Sequence, residues 1–144
     1  MHNHILATLA FAAVSSAHFS LLWPPVNLPI DEEQQTEEPC GGASTELSDS
    51  SADLTVEQFA ISVRSSHPEG HWAFNIANST SEPFDWVTVS EVQTQGVGEF
   101  CLPALSIPAE YVGSSGVLQI VDTAADGMLY AVSLQLIRVG RISI

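Results

Sequence analysis

The feature that most constrains the fold is a series of short runs, from residue 53 onward, in which apolar and polar residues alternate. Alternation with a period of two is typical of half-buried β-strands, and no stretch shows the 3.6-residue period of an amphipathic helix. The runs lie at 59–63, 72–76, 87–89, 117–121 and 129–139, and turn-forming residues separate them at 65–70, 78–83, 96–98, 113–116 and 124–127. The pattern predicts an all-β chain folded as an immunoglobulin- or fibronectin-like antiparallel β-sandwich.

Length and charge narrow the class of protein. The 144 residues suit one compact core and are too few for two ordinary domains. The formal net charge is −14, with three basic residues and no lysine. A surface of this sign repels phosphate backbones and anionic lipid headgroups, and it attracts cations. We therefore expect a protein that does not bind nucleic acid. We also expect it to be a monomer.

The first 17 residues have the layout of a secretory signal peptide. They contain no Asp, Glu, Lys or Arg, and the apolar run from Ile5 to Val14 ends in small residues. Ser15 and Ala17 stand at the third and first positions before the expected cleavage point, which makes His18 the first mature residue. The alternative is a buried N-terminal helix, shorter than the ~20 residues of a membrane span. We expect 1–17 to be a signal peptide and 18–144 to be a single secreted domain, extracellular or at the cell surface, without a transmembrane segment.

Export would permit disulfide bonds, and the chain has two cysteines, Cys40 and Cys101. Neither has the spacing of a zinc site, so we predict one bridge between them, worth about 4 kcal/mol by chain entropy. We expect this bridge to anchor the acidic, Ser-rich stretch around Cys40 as an ordered loop; a disordered linker is the alternative. Asn78 begins an Asn-Ser-Thr glycosylation sequon, which predicts a surface loop and a glycoprotein.

The histidines are the best candidates for chemistry, because the chain lacks the GxSxG elbow of hydrolases and any glycine-rich phosphate loop. Three of them follow the expected cleavage point: His18, His67 and His71. An N-terminal histidine can chelate a metal through its amine and imidazole, leaving room for a second imidazole, an arrangement called the histidine brace. Nitrogen donors in one plane favour Cu(II), and the amine pKa of about 7.7–8.0 lets a metal displace its proton. The plainer interpretation is that these are ordinary surface histidines.

Five segments carry a resemblance to a known family: HFSLLWPP, EEPCGG, SVRSSHPEGHWAFNIANS, GEFCLP and VDTAADGMLYAVSLQL. In this order they resemble fungal proteins of the copper-acquisition-factor type, which are secreted copper-binding proteins related to lytic polysaccharide monooxygenases. The resemblance implies an immunoglobulin-like sandwich that holds one copper ion through an N-terminal histidine, a second histidine and an aspartate.

The same resemblance assigns ligands to positions of this chain. His18 takes the brace position and His67 supplies the second imidazole, with His71 as the alternative. Asp126 is the expected carboxylate ligand and Asp122 the alternative, although Asp before Gly is also ordinary turn chemistry.

The expected function is capture or buffering of Cu²⁺ at the cell surface, in copper uptake or homeostasis, with a cell-surface copper transporter as the candidate partner and without enzymatic activity. The first alternative is a copper-dependent oxidase of the polysaccharide monooxygenase type. The second is a metal-free extracellular interaction module.

Overall fold

A computed structural model describes residues 17–26, 30–45, 52–55, 59–125 and 127–138. This part of the chain forms eight β-strands and one short 3₁₀ helix. The strands are β1 (Phe19–Trp23), β2 (Ala52–Thr55), β3 (Phe59–Ser65), β4 (Glu69–Ala77), β5 (Val87–Gln95), β6 (Gly98–Leu105), β7 (Ser115–Ala124) and β8 (Gly127–Arg138), and the 3₁₀ helix is Ala109–Tyr111. None of the helical structure described is long and apolar enough to cross a membrane.

The strands form two sheets, which confirms the predicted all-β sandwich. The smaller sheet has the order β1-β3-β6, and the larger has the order β2-β8-β7-β4-β5. Every pairing is antiparallel except that of β2 with β8, which is parallel. The chain passes from the small sheet to the large one through the turn between β3 and β4. The residues of this turn therefore lie at one end of the sandwich, between the two sheets.

The core lies between the sheets and follows the predicted alternation. The inward residues of β3 and β4 are almost fully buried and alternate with outward-facing neighbours, whereas β7 is buried on both faces. The central members are Ile61, Val63, Trp72, Phe74, Ile76, Leu118 and Ile120. Phe19 of β1 packs edge-on against Trp72, with ring centroids 5.1 Å apart and an interplanar angle of 86°. This contact holds β1 against the large sheet, because edge-to-face aromatic pairs stabilise beyond the area they bury.

A second apolar cluster covers the outer face of the large sheet. Its buried members are Cys40, Val117 and Val132, and Ala43, Phe84 and Trp86 pack against them. The Gln119 side chain also projects from this face, and its Nε2 donates to the carbonyl oxygen of Pro39 at 2.7 Å. The acidic stretch is thus ordered over 30–45, and packing on the sheet holds it there.

The predicted Cys40–Cys101 bridge is not formed, since both cysteines are free thiols. Cys40 is buried on the outer face of the large sheet. Cys101 lies in β6 of the small sheet, where its inward neighbour Leu102 places it on the exposed outer surface. Packed sheets stand about 10 Å apart, whereas the Cα atoms of a disulfide lie about 4.4–6.8 Å apart. Thiols on opposite outer faces of a sandwich cannot meet, which corrects the prediction.

Candidate metal site

A buried pair of side chains marks the end of the sandwich where the chain passes between the sheets. His67 lies in the turn between β3 and β4 and is only 3% exposed. Its Nδ1 lies 2.8 Å from Oδ2 of Asp122, a residue of β7 that is fully buried. The His67 backbone N–H also donates to Ser65 Oγ at 3.1 Å. Burying an ionisable group is costly unless it is hydrogen-bonded, so this pairing is a specific feature of the fold.

The alternation of β7 explains why Asp122 reaches His67. Leu118 and Ile120 point into the core, and Asp122 continues the same inward row at the end of the strand. A carboxylate at Nδ1 favours the imidazole tautomer that carries its proton there, and a metal bound by His67 would then take Nε2. From the sequence, Asp122 is only the second choice for a metal ligand. In the structure, the register of β7 brings Asp122 into contact with His67, so that it orients the ring.

Gly70 leaves room for this arrangement at the start of β4. A Cβ atom at this position would lie 2.7 Å from Trp72 Nε1 and 2.9 Å from Asp122 Oδ1, closer than real Cβ contacts allow. Trp72 Nε1 in turn donates to Thr94 Oγ1 at 2.8 Å. Gly70 therefore permits the close approach of the indole and the carboxylate.

The pairing of β1 with β3 brings the backbone of His18 next to His67. The His18 backbone N–H donates to Ser66 Oγ at 2.8 Å, and the Ser66 hydroxyl and backbone N–H both donate to the His18 carbonyl oxygen, at 2.9 and 3.1 Å. Ser66 immediately precedes His67. Ala17 and His67 line one open cleft of about 760 Å³, together with His71. Ala17, the residue before the expected cleavage point, therefore borders the same cleft as His67.

His18 borders a second cleft of about 520 Å³, which Ser66 and Glu32 also line. Its Nδ1 lies 3.9 Å from Oε2 of Glu32, which belongs to the acidic stretch. Within the five described stretches of the chain, no three His, Cys, Asp or Glu side chains are grouped closely enough to hold a metal ion. The structure thus brings the His18 backbone to His67 without assembling the whole predicted ligand set.

Of the other predicted residues, His71 borders the same cleft as His67 but does not contact Asp122. His71 is exposed on the outward side of β4, opposite Thr123, and the buried carboxylate contacts His67 instead. Asp126 lies outside the described residues. Asn78 is exposed just after β4, in the connection to β5, as predicted for a sequon; glycosylation itself stays a prediction.

Comparison with known proteins identifies the family. The family model "Copper acquisition factor BIM1-like" matches residues 16–133, a range that includes His18, His67 and Asp122. The chain is also similar to an uncharacterized protein of Aspergillus fumigatus, at 26% identity over 108 residues. This match covers 74% of the chain and 44% of the relative, so the chain spans less than half of that protein's length. The chain therefore belongs to the BIM1-like copper acquisition factor family, and its function is related to copper.

Proposed function

We propose that this chain is a secreted protein that binds Cu²⁺ through an N-terminal histidine brace and captures or buffers copper at the cell surface, for delivery to a copper transporter. The ligands would be the amine and imidazole of His18 and Nε2 of His67. The family supplies the relation to copper. The arrangement of His18 and His67 supports the finer proposal.

The observation that carries the proposal is the position of the His18 backbone nitrogen. This nitrogen donates a hydrogen bond to the hydroxyl of Ser66, the residue that precedes His67. Asp122 in turn contacts the His67 ring and fixes it. Cleavage after Ala17 would convert the peptide nitrogen into a primary amine at the edge of the cleft that His67 lines. A second imidazole that is already oriented lowers the cost of binding, because less freedom is lost when the metal enters.

Coordination would require the His18 ring to turn from Glu32 toward His67. The His18 side chain is 24% exposed, and this rotation between staggered side-chain conformers would replace its 3.9 Å contact with Glu32. The amine and the imidazole belong to the same residue, and they close a chelate ring on one metal ion. Glu32 adds negative charge beside the site, in a chain of net charge −14, and this favours a cation.

The two aspartates receive different roles in this proposal. Asp122 accepts a hydrogen bond from His67 Nδ1 and orients the ring, while Asp126 is the proposed carboxylate ligand. Ala124 and Ala125, which precede Asp126 in the sequence, line the same cleft as His67. This lining supports the choice of Asp126 as the carboxylate ligand.

The test uses protein secreted from a fungal host, with its N-terminus determined by mass spectrometry. Titration with Cu(II), followed by electron paramagnetic resonance, should give one tight site with nitrogen donors in the equatorial plane. One extra residue before His18 should abolish tight binding, because the amine becomes an amide. His67→Ala should do the same, whereas the matched control His71→Ala should bind like the native protein. A mature chain that starts elsewhere, or tight binding that survives the extension, would refute the proposal.

A further inference from the structure

A buried glutamine holds the strand that begins immediately after His18. Gln35 belongs to the acidic stretch, yet its side chain is 0% exposed, among the largest fully buried side chains. Its Nε2 donates to the Phe19 carbonyl oxygen at 2.8 Å, and its Oε1 accepts from the Phe19 backbone N–H at 3.4 Å. One carboxamide thus engages both backbone polar groups of a single strand residue.

The register of β1 explains why these groups need such a partner. Phe19 lies opposite Ser65 of β3, and the Ser66 N–H donates to the His18 carbonyl oxygen. The ladder hydrogen bonds therefore flank the Phe19–Ser65 pair, so the N–H and C=O of Phe19 point away from β3. β1 is an edge strand, and the Gln35 carboxamide occupies the position that a neighbouring strand would fill.

The Gln35 backbone connects the same point to the other sheet. The Tyr130 N–H of β8 donates to the Gln35 carbonyl oxygen at 2.8 Å. Three residues earlier in the same stretch, Glu32 approaches the His18 ring. The hydrogen bonds to Ser66 on one edge of β1 and to Gln35 on the other thus fix the backbone around His18 from both sides.

We propose that Gln35 is a positioning residue for copper binding: its carboxamide locks β1 at Phe19 and thereby sets where the mature amine of His18 stands relative to His67. This inference rests on the proposed function. Gln35 binds no metal itself and acts through the strand. Loss of its hydrogen bonds would let the first mature residue move with respect to the fixed imidazole, and small displacements of a ligand change both affinity and coordination geometry.

The test compares the same substitution at two buried glutamines in the secreted protein. Gln35→Met keeps the approximate length of the side chain and removes both hydrogen bonds to Phe19. The control is Gln119→Met, because Gln119 is also buried and also hydrogen-bonds the acidic stretch, but on the outer face of the large sheet. We expect the Cu(II) dissociation constant of Gln35→Met to rise about tenfold with altered resonance parameters, and that of the control to stay within about twofold with the native spectrum.

The outcomes distinguish a failure of this inference from a failure of the proposed function. If the native protein binds no Cu(II), both fall together. If the native protein binds and Gln35→Met gives the same affinity and spectrum, Gln35 has no positioning role and the brace stands. Equal losses in both variants would mean a general loss of stability and would also refute the inference. Should Gln35→Met fail to fold, Gln35→Asn keeps a neutral carboxamide but shortens its reach by one methylene group, and the same altered spectrum is expected from it.

Discussion

Removal of the Asp122 carboxylate should destabilise the fold and weaken copper binding together, because His67 depends on it. His67 is 3% exposed and Asp122 is fully buried, so water cannot replace the 2.8 Å contact between them. A buried donor left without its acceptor costs about 1–3 kcal/mol. We expect Asp122→Ala to lower the free energy of unfolding by about 3 kcal/mol, or roughly 10 °C in the unfolding midpoint.

A double-mutant cycle isolates the contact from the rest of the site. The four proteins are the native chain, Asp122→Ala, His67→Ala and the double variant, measured by urea unfolding with tryptophan fluorescence. The expected coupling energy is about 2 kcal/mol, within the usual range for residues in contact. Asp122→Asn is the matched control, because its amide oxygen can still accept from Nδ1. It should lose about 1 kcal/mol.

The copper affinity of the same variants is the second measurement. Partners that orient a metal-binding histidine contribute about 10–100-fold to affinity, so Asp122→Ala should bind Cu(II) at least about tenfold more weakly, and Asp122→Asn less so. A coupling energy below about 0.5 kcal/mol would show that the two residues act independently, and the argument that Asp122 orients His67 would fail.

Thiol reagents at pH 8 should label Cys101 in the folded protein and Cys40 only after denaturation; labelling of neither would reveal a disulfide. Burial raises the pKa of Cys40 from 9.0 to about 11, so stability should fall as pH rises from about 9 toward 11, and Cys40→Val should lack that part of the fall. Gly70→Ala should cost about 1–3 kcal/mol by displacing Trp72 and Asp122, as measured by urea unfolding. Copper-loaded protein with a reductant should release no oxidised products from cellulose, chitin or xylan, because the proposed anionic ligand Asp126 favours Cu(II) over Cu(I). Detection of such products would establish an oxidase.

The sequence predicted the sandwich because its core strands alternate cleanly, as the inward Trp72, Phe74 and Ile76 show. It did not reveal β2, a four-residue strand at a sheet edge, or β6, whose run is interrupted by Pro103. These strands form where β8 and β3, respectively, supply a ladder, and their own composition contributes little to the pattern.

The candidate site was predictable in part, and the omissions share a cause. His67 was identified, but the role of Asp122 depends on which face of β7 it occupies. The predicted disulfide was wrong for the same reason, because a count of cysteines does not show on which face of which sheet each thiol lies. No sequence pattern marks Gln35 as a buried residue. Its burial within an acidic run depends on contacts with Phe19 and Tyr130, which are distant in sequence.

Because the chain passes between the two sheets at His67, a metal bound there would link the sheets. His18 adjoins the edge strand of the small sheet, whereas Asp122 belongs to the large sheet. A copper ion bound by His18 and His67 would connect the small sheet to the large one at this end of the sandwich, because His67 contacts Asp122. A ligand that binds only the folded chain adds about 4 kcal/mol at a thousand times its dissociation constant. The resistance of this protein to unfolding would then rise and fall with the copper supply, and so would its resistance to proteolysis.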